Sequence, residues 1–163
     1  MNIKSFLLTG LIFLALQPVF GQDGKKFPEV TIKTMDGKNI TTSEVIKKNK
    51  YTFISFWATW CGPCKRELDA ISEVHNNWKN DYGLEVVAIS IDDARGAAKI
   101  PALVKQKAWN YTVLLDGNAS LQQILNFNSI PQSYLVDQER NIIYAHSGYT
   151  PGDEFQIEEK IKK

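Results

Sequence analysis

A predicted strand and a predicted helix meet at the only two cysteines of this 163-residue chain. Residues 51–57 (YTFISFW) are aromatic and β-branched, with no Gly or Pro, which predicts a buried strand. Residues 65–71 (KRELDAI) predict a helix, and Cys61-Gly62-Pro63-Cys64 lies between the two. A Cys-x-x-Cys motif at a strand-to-helix junction is typical of a redox site in an α/β protein.

The position of the two thiols in this junction predicts different roles for them. A helix N-terminus carries unpaired N–H groups and a partial positive charge, which lower the pKa of a nearby thiol. We therefore expect Cys61, at this terminus, to be the attacking nucleophile and Cys64 to lie in the first turn. Pro63 fits a first turn because its missing N–H has no helical partner there. Gly62 leaves the approach to Cys61 open, and Trp60 is expected to shield one side.

Other uses of a cysteine pair fit the sequence less well. A structural zinc site needs four ligands, and the chain offers only His75 and His146 besides the cysteines. Haem attachment needs a histidine directly after the second cysteine, where Lys65 stands. A structural disulfide across so short a loop would stabilise the fold little. The sequence thus predicts no metal and no cofactor.

The remaining chain alternates strands with helices, which predicts one α/β domain. Asp36-Gly37 marks an N-terminal β-hairpin, and the apolar run 84–91 is typical of a central parallel strand. The predicted strands are 30–34, 38–40, 51–57, 84–91, 110–115, 132–136 and 141–146. The predicted helices are 42–48, capped by Thr42 or Ser43, 61–80, 94–108, 120–126 and 153–162.

The first 21 residues have the pattern of a secretory signal peptide. A basic start is followed by an apolar run over 6–16 and by small residues ending at Gly21. An uncleaved membrane anchor is the alternative, although the apolar run is short for a membrane span. Residues 22–163 then form the single domain. The net charge of +1 argues against nucleic acid as a partner.

Two segments resemble the thioredoxin superfamily. Residues 56–65 (FWATWCGPCK) are similar to its active-site segment, and residues 130–137 (IPQSYLVD) to a second motif. Thr59, Glu67 and the layout are more similar to the TlpA/ResA-like branch of exported thiol-disulfide oxidoreductases. The resemblance implies a thioredoxin-like fold, a central mixed sheet flanked by helices, with a strand-helix insertion at 84–108.

The resemblance also implies site residues beyond the cysteines. Pro131 corresponds to a cis-proline beside the cysteine pair, which would turn the backbone of Ile130 toward a bound substrate segment. Thioredoxins carry a buried aspartate where this chain has Ser55, a departure from their pattern. In the exported branch a glutamate corresponds to Glu67, which would accept the proton of Cys64. The alternative for Glu67 is an exposed helix residue paired with a lysine.

Two histidines and a pair of aspartates are expected to have ordinary structural roles. His75 is expected at the surface or at its boundary rather than as a ligand. His146 ends a predicted strand and is not expected to be a ligand either. Asp92-Asp93 resembles a metal-binding pair, but helix capping is the favoured interpretation.

The predicted function is a thiol-disulfide oxidoreductase of the periplasm that reduces disulfides in proteins. The resemblance implies a membrane thiol-transfer protein as electron donor, a monomeric enzyme and a role in cytochrome c maturation. Two alternatives remain open at this stage. One is a thiol oxidase or isomerase, and the other is a metal- or haem-handling chaperone that uses the same thiols.

Overall fold

The computed structural model describes residues 25–162, so the predicted signal peptide over 1–21 lies outside the described part. One seven-stranded mixed sheet carries the fold, in the order β2-β1-β5-β4-β3-β6-β7. The strands are β1 Thr31–Thr34, β2 Asn39–Thr41, β3 Tyr51–Trp57, β4 Leu84–Ser90, β5 Thr112–Leu115, β6 Gln132–Asp137 and β7 Ile142–Ser147. The helices are α1 Thr42–Ile46, α2 Gly62–Tyr82, α3 Ala94–Ala97, α4 Ile100–Lys107, α5 Ser120–Leu125 and α6 Asp153–Ile161. The predicted α/β class, a central mixed sheet flanked by helices, is confirmed.

Strand β3 lies near the middle of the sheet, where its pairing fixes the direction of the chain that follows. It runs parallel to β4 and antiparallel to β6. Its side chains alternate between two layers of the core. Phe53 and Trp57 enter the layer that contains α2, and Ile54 and Phe56 enter the opposite layer. Ser55 lies between Phe53 and Trp57 on the same face of the sheet. Its hydroxyl is therefore directed toward α2.

Helix α2 packs a continuous face against this layer. Its buried residues are Cys64, Glu67, Leu68, Ile71, His75 and Trp78, which follow a helical spacing of three or four with one adjacent pair. The helix ends at Gly83, whose φ of 65° lies in the left-handed region that glycine adopts without steric cost. The chain then enters β4 directly.

The predicted segment 84–108 forms β4 and two helices rather than one. Helix α3 ends at Ala97, and α4 begins at Ile100 with Pro101 in its first turn. Proline lacks the N–H that a continuous helix would need at this position, so the helix restarts around it.

The α1 cap also differs from the predicted Thr42 or Ser43. Thr41 caps α1, and Glu44 accepts a hydrogen bond from its backbone N–H at 2.7 Å in a capping box.

Both predicted hairpins are present, β1 with β2 and β6 with β7. Within residues 25–162, none of the helices is both long enough and apolar enough to cross a membrane.

Candidate active site

Cys61 and Cys64 form a disulfide at the start of α2, with their Cα atoms 5.4 Å apart. Cys61 is the N-cap residue of the helix, and the backbone N–H of Cys64 donates to the Cys61 Sγ at 3.2 Å. In the reduced protein the same N–H and the helix N-terminus favour a thiolate on Cys61. Cys64 is completely buried, whereas Cys61 is 5% exposed. The sulfur that a partner can reach is therefore that of Cys61.

The surface beside Cys61 is built by residues from the loop before α2 and from the segment before β6. The Ile130–Pro131 peptide bond is cis, as the resemblance implied. The Ile130 carbonyl oxygen lies 3.8 Å from the Cys61 Sγ. Trp60 is 71% exposed, so it presents an apolar surface to solvent next to the disulfide. Gly62 and Pro63 form the first turn of α2, as predicted.

Glu67 is buried below the cysteines, one turn further along α2. It is 4% exposed and held by two hydroxyls from neighbouring strands. Ser55 of β3 donates to its Oε2 at 2.5 Å, and Ser133 of β6 donates to its Oε1 at 2.7 Å. The alternative of an exposed glutamate paired with a lysine is wrong, because position 67 lies on the buried face of α2.

Burial raises the pKa of Glu67 from 4.5 to about 7. The hydrogen bonds from Ser55 and Ser133 oppose this rise because they stabilise the carboxylate. A positive charge on His146 also lowers the pKa, and Asp153 raises it. A carboxyl group with this pKa can both accept and release a proton near neutral pH.

The loop 58–60 is held by Asp92, which follows β4. Its carboxylate accepts from the Thr59 N–H at 2.8 Å and from the Thr59 hydroxyl at 2.7 Å. The Ser90 hydroxyl donates to it at 2.8 Å, and Lys65 donates to the Thr59 carbonyl at 3.0 Å. Asp93 caps α3, as the capping interpretation predicted, whereas the buried Asp92 fixes the residues that precede Cys61.

The two histidines occupy different surroundings, and the prediction for one of them is wrong. His75 is 2% exposed, so its expected place at the surface or boundary is wrong. Its Nε2 lies 2.7 Å from Glu85, and its Nδ1 lies 3.3 Å from Asn110. The spacing of His75 from Ile71 and Trp78 on one helix face is the signal that could have indicated this burial. His146 is half-buried on β7 and faces the same space as Glu67.

Ser133 and His146 are the residues near Glu67 that the sequence pattern did not indicate. Strand pairing places Ser55 opposite Ser133, and Ser133 opposite His146. These pairings depend on the sheet order, which strand propensity does not contain. Their common signal was a small or polar residue at alternating positions in otherwise apolar strands.

Comparisons with known proteins agree with this geometry. Residues 24–145 match the model of the AhpC/TSA family. A curated relative, the thiol-disulfide oxidoreductase ResA of Bacillus cereus (strain ATCC 10987 / NRS 248), is 28% identical over 163 residues. The match covers 96% of this chain and 90% of the relative.

Solved structures share the fold. A thioredoxin-like protein from Porphyromonas gingivalis superimposes with a TM-score of 0.73 at 38% identity, over 83% of this chain and 89% of that chain. A thiol:disulfide interchange protein from Chlorobium tepidum TLS superimposes with a TM-score of 0.67 at 22% identity, over 85% of this chain and 94% of that chain. The chain therefore belongs to the AhpC/TSA family and is a thioredoxin-like thiol-disulfide oxidoreductase.

Proposed function

We propose that this oxidoreductase reduces disulfide bonds in exported proteins through Cys61 and Cys64. The observation that carries the proposal is the Cys61–Cys64 disulfide at the N-terminus of α2, where Cys61 is the reachable sulfur and Cys64 is completely buried. Burial of the second sulfur suits a resolving role, since Cys64 needs to reach only the mixed disulfide on Cys61.

The proposed reaction proceeds in two exchange steps. The Cys61 thiolate attacks one sulfur of the client disulfide, and the other client sulfur leaves as a thiolate that takes up a proton. Cys64 then loses its proton and attacks the Cys61 sulfur of the mixed disulfide. The second client sulfur leaves as a thiolate and is protonated, and the Cys61–Cys64 disulfide is formed. Two electrons pass from the enzyme to the client.

Glu67 is the proposed acceptor of the Cys64 proton. It lies three residues after Cys64, so both side chains share the buried face of α2. Its pKa of about 7 supports the role, because such a carboxylate is basic enough to attract a proton and still partly ionised at neutral pH. Ser55 does not replace the aspartate of thioredoxins as a base. Its hydroxyl donates to Glu67 instead.

The client is proposed to bind along the exposed surface beside Cys61. Trp60, Gly62 and Pro63 border it on one side, and Ile130 and Pro131 on the other. An extended client segment can pair with the backbone of Ile130 in the manner of an added strand. The exposed indole of Trp60 supplies apolar contact area for residues that flank the client disulfide.

The direction and compartment belong to the same proposal. Gly62-Pro63 between the cysteines is similar to reducing thioredoxins, whose potential is about −270 mV. Residues 1–21 would direct the chain to the periplasm, where a membrane thiol-transfer protein would return electrons to it. Cytochrome c maturation is the proposed pathway. The enzyme is proposed to act as a monomer and to bind no nucleic acid.

Trapping with Cys64→Ser tests the client class. This variant cannot resolve the mixed disulfide, so we expect clients to accumulate as covalent adducts on Cys61 that dithiothreitol releases. Cys61→Ser is the matched control, and it should trap no client. Adducts on both variants, or on neither, would contradict the assignment of Cys61 as nucleophile.

Equilibration with glutathione tests the direction. We expect a potential close to that of reducing thioredoxins, about −270 mV. A value near that of DsbA, about −120 mV, would favour an oxidase or isomerase instead. Stoichiometric copper or haem retained by the reduced protein, together with failure to reduce insulin, would favour the chaperone alternative.

A further inference from the structure

A row of polar side chains crosses three strands below Glu67 and ends at the edge of the sheet. Ser55 of β3 is paired with Ser133 of β6, which is paired with His146 of β7. Residues directly opposite each other on antiparallel strands point to the same face. The row therefore lies on the face of the sheet that α2 covers. It runs from the buried Glu67 carboxylate to β7, the strand at that edge of the sheet.

His146 is held in a defined orientation at the end of this row. Its Nε2 lies 3.0 Å from the Asp153 Oδ2, and its Nδ1 lies 3.3 Å from the Tyr144 hydroxyl. Asp153 begins α6, and its Oδ2 also accepts from the Thr150 N–H at 2.7 Å. The side chain of His146 is 30% exposed. Unlike Glu67, the imidazole is thus in contact with solvent.

Glu67 and His146 line the same cleft between α2, β7 and α6. The cleft is narrow, with room for about one water molecule, and Ser133 lies on its wall between the two groups. The titratable groups that line it are Glu67 from α2, Tyr144 and His146 from β7, Tyr149 from the following loop, and Asp153 and Glu154 from α6. Burial raises the pKa of both Tyr144 and Tyr149, so these phenols stay neutral at neutral pH.

The charges in the cleft couple the two groups. A positive His146 favours the carboxylate form of Glu67, and the negative charge of Asp153 disfavours it. Cys64 is completely buried and Glu67 nearly so. A proton that Glu67 takes from Cys64 must therefore leave through the protein, and the cleft that Glu67 shares with the half-buried His146 provides a path.

We propose that His146, oriented by Asp153, is a positioning residue through which Glu67 exchanges its proton with solvent during each redox cycle. This inference rests on the proposed role of Glu67 as the proton acceptor of Cys64. In the resolving step the Cys64 proton passes to the Glu67 carboxylate. Glu67 then releases it across the cleft to the His146 ring, and the half-exposed ring passes a proton on to bulk water. When the enzyme is reduced again, the same path returns a proton to Cys64.

The test is the pH profile of the resolving step in the full-length enzyme. Release of a reduced model peptide from its mixed disulfide with Cys61 is followed by stopped flow from pH 5 to pH 9. Glu67 must be ionised to accept a proton, so the wild-type rate should rise with pH through a midpoint near the pKa of Glu67. His146→Gln keeps a polar side chain in the cleft but carries no titratable proton. We expect its rate to fall by about 3- to 10-fold at pH 6, with the midpoint displaced to higher pH.

The other histidine offers a matched control. His75→Gln makes the same chemical change on the helix that carries Glu67, but His75 contacts Glu85 and Asn110 rather than the cleft. We expect this variant to lose stability and keep the wild-type pH profile. A His146→Gln profile that overlies the wild type, or a His75→Gln profile displaced as far as that of His146→Gln, would overturn the inference.

Glu67→Gln separates this inference from the function on which it rests. If Glu67 is the acceptor, Glu67→Gln slows the resolving step, and adding His146→Gln to it causes no further loss. A slow Glu67→Gln enzyme with a normal His146→Gln enzyme rejects the role of His146 alone. A Glu67→Gln enzyme with an unchanged resolving rate rejects both the acceptor role and the inference, while trapping on Cys61 would still test the reductase function.

Discussion

Glu67 is an ionisable group in a place where water barely reaches it. Its carboxylate is stabilised by two serine hydroxyls that replace part of the lost hydration, Ser55 and Ser133. A hydrogen bond to a charged group contributes about 1.5–3 kcal/mol. Burial still dominates, because the pKa remains raised. The two serines therefore set how far the pKa rises rather than whether it rises.

Removing one of these hydroxyls should raise the pKa of Glu67 further. Ser133→Ala leaves the Oε1 without its donor, which disfavours the carboxylate and leaves the neutral acid little affected. We expect the pKa to increase by about one unit above its wild-type value of about 7. Carboxyl titration by NMR with ¹³C-labelled glutamate measures it directly.

Thr52 provides the control for this change. It lies three residues before Ser55 on β3, on the opposite face of the sheet, and is fully buried. Its hydroxyl has no hydrogen-bond partner among the described residues. Thr52→Val should leave the pKa of Glu67 unchanged and keep or raise the free energy of unfolding, because a buried hydroxyl without a partner is unfavourable. Equal displacement of the pKa in both variants would show that the shift does not come from the hydrogen bond.

At the scale of elements, the loop before α2 is positioned by the loop after β4. Asp92 accepts two hydrogen bonds from Thr59 and one from Ser90. Gly96 of α3 lies so close that a Cβ there would clash with the Asp92 Oδ1. The glycine therefore allows α3 to approach the carboxylate, so the helix after β4 packs directly behind the residues that precede Cys61.

Asp92→Asn should weaken this junction. The amide has a single acceptor oxygen, and its NH₂ would face a donor, so at least one donor loses its partner. We expect the free energy of unfolding in urea to fall by about 1–3 kcal/mol. Reduction of a disulfide client should also slow, since the loop that presents Cys61 is less firmly held.

The neighbouring residue gives the comparison. Asp93 is exposed and accepts from the N–H groups of Arg95 and Gly96 as the cap of α3. Asparagine caps a helix about as well as aspartate, so Asp93→Asn should change the unfolding free energy by a few tenths of a kcal/mol. If Asp92→Asn were as mild as Asp93→Asn, the carboxylate at 92 would not be what holds the loop.

These elements also show which parts of the fold the sequence could predict. Strand β3 was predicted at its observed bounds, because seven consecutive residues favour a strand and no residue interrupts them. The N-terminus of α2 followed from Pro63 and the cysteines. One helix was predicted over 94–108, where the structure has two. The sequence did not decide between them, because proline at 101 is compatible both with the first turn of a new helix and with a kink in a single one. The structure settles it, because α3 ends at Ala97 and α4 begins at Ile100 with Pro101 in its first turn.

Only the part of the active site that is local in sequence could be predicted. The cysteine pair is local in sequence, and so is its place at a helix start. The surroundings of Glu67 are not local, because Ser55, Ser133 and His146 come together only through strand pairing. The burial of His75 and Glu67 could have been inferred from their spacing relative to Leu68, Ile71 and Trp78. Charge and polarity argued for exposure there, and the helical periodicity was the better guide.

At the scale of the whole molecule, a carboxyl group buried in the main core layer links redox chemistry to stability. The pKa of Glu67 is about 7 in the folded protein and 4.5 in the reference state. Between these values the folded protein binds more protons than the unfolded chain does. Stability therefore falls as the pH rises through this window. The favourable contribution of the neutral acid is complete below pH 4.5 and is lost as the pH rises through the folded pKa.

Glu67→Gln should remove this dependence. The amide is close to the protonated acid in shape and never ionises, so the energetic cost of burying the charge disappears. The wild-type free energy of unfolding should decrease relative to that of Glu67→Gln by on the order of 3 kcal/mol between pH 4.5 and pH 8. Urea unfolding of the oxidised proteins at several pH values measures the difference between the two curves, in which the contributions of other titratable groups cancel.

A control on the same helix isolates the effect of burial. Glu73 is exposed on α2, so Glu73→Gln removes a carboxyl group that water solvates in both states. Its curve should run parallel to the wild type from pH 4.5 to pH 8, whereas the Glu67→Gln curve diverges upward. Parallel curves for wild type and Glu67→Gln would mean that Glu67 ionises in the fold as easily as in the unfolded chain. A carboxylate with such an ordinary pKa would be a weak acceptor for the Cys64 proton, so this stability measurement also tests the proposed mechanism.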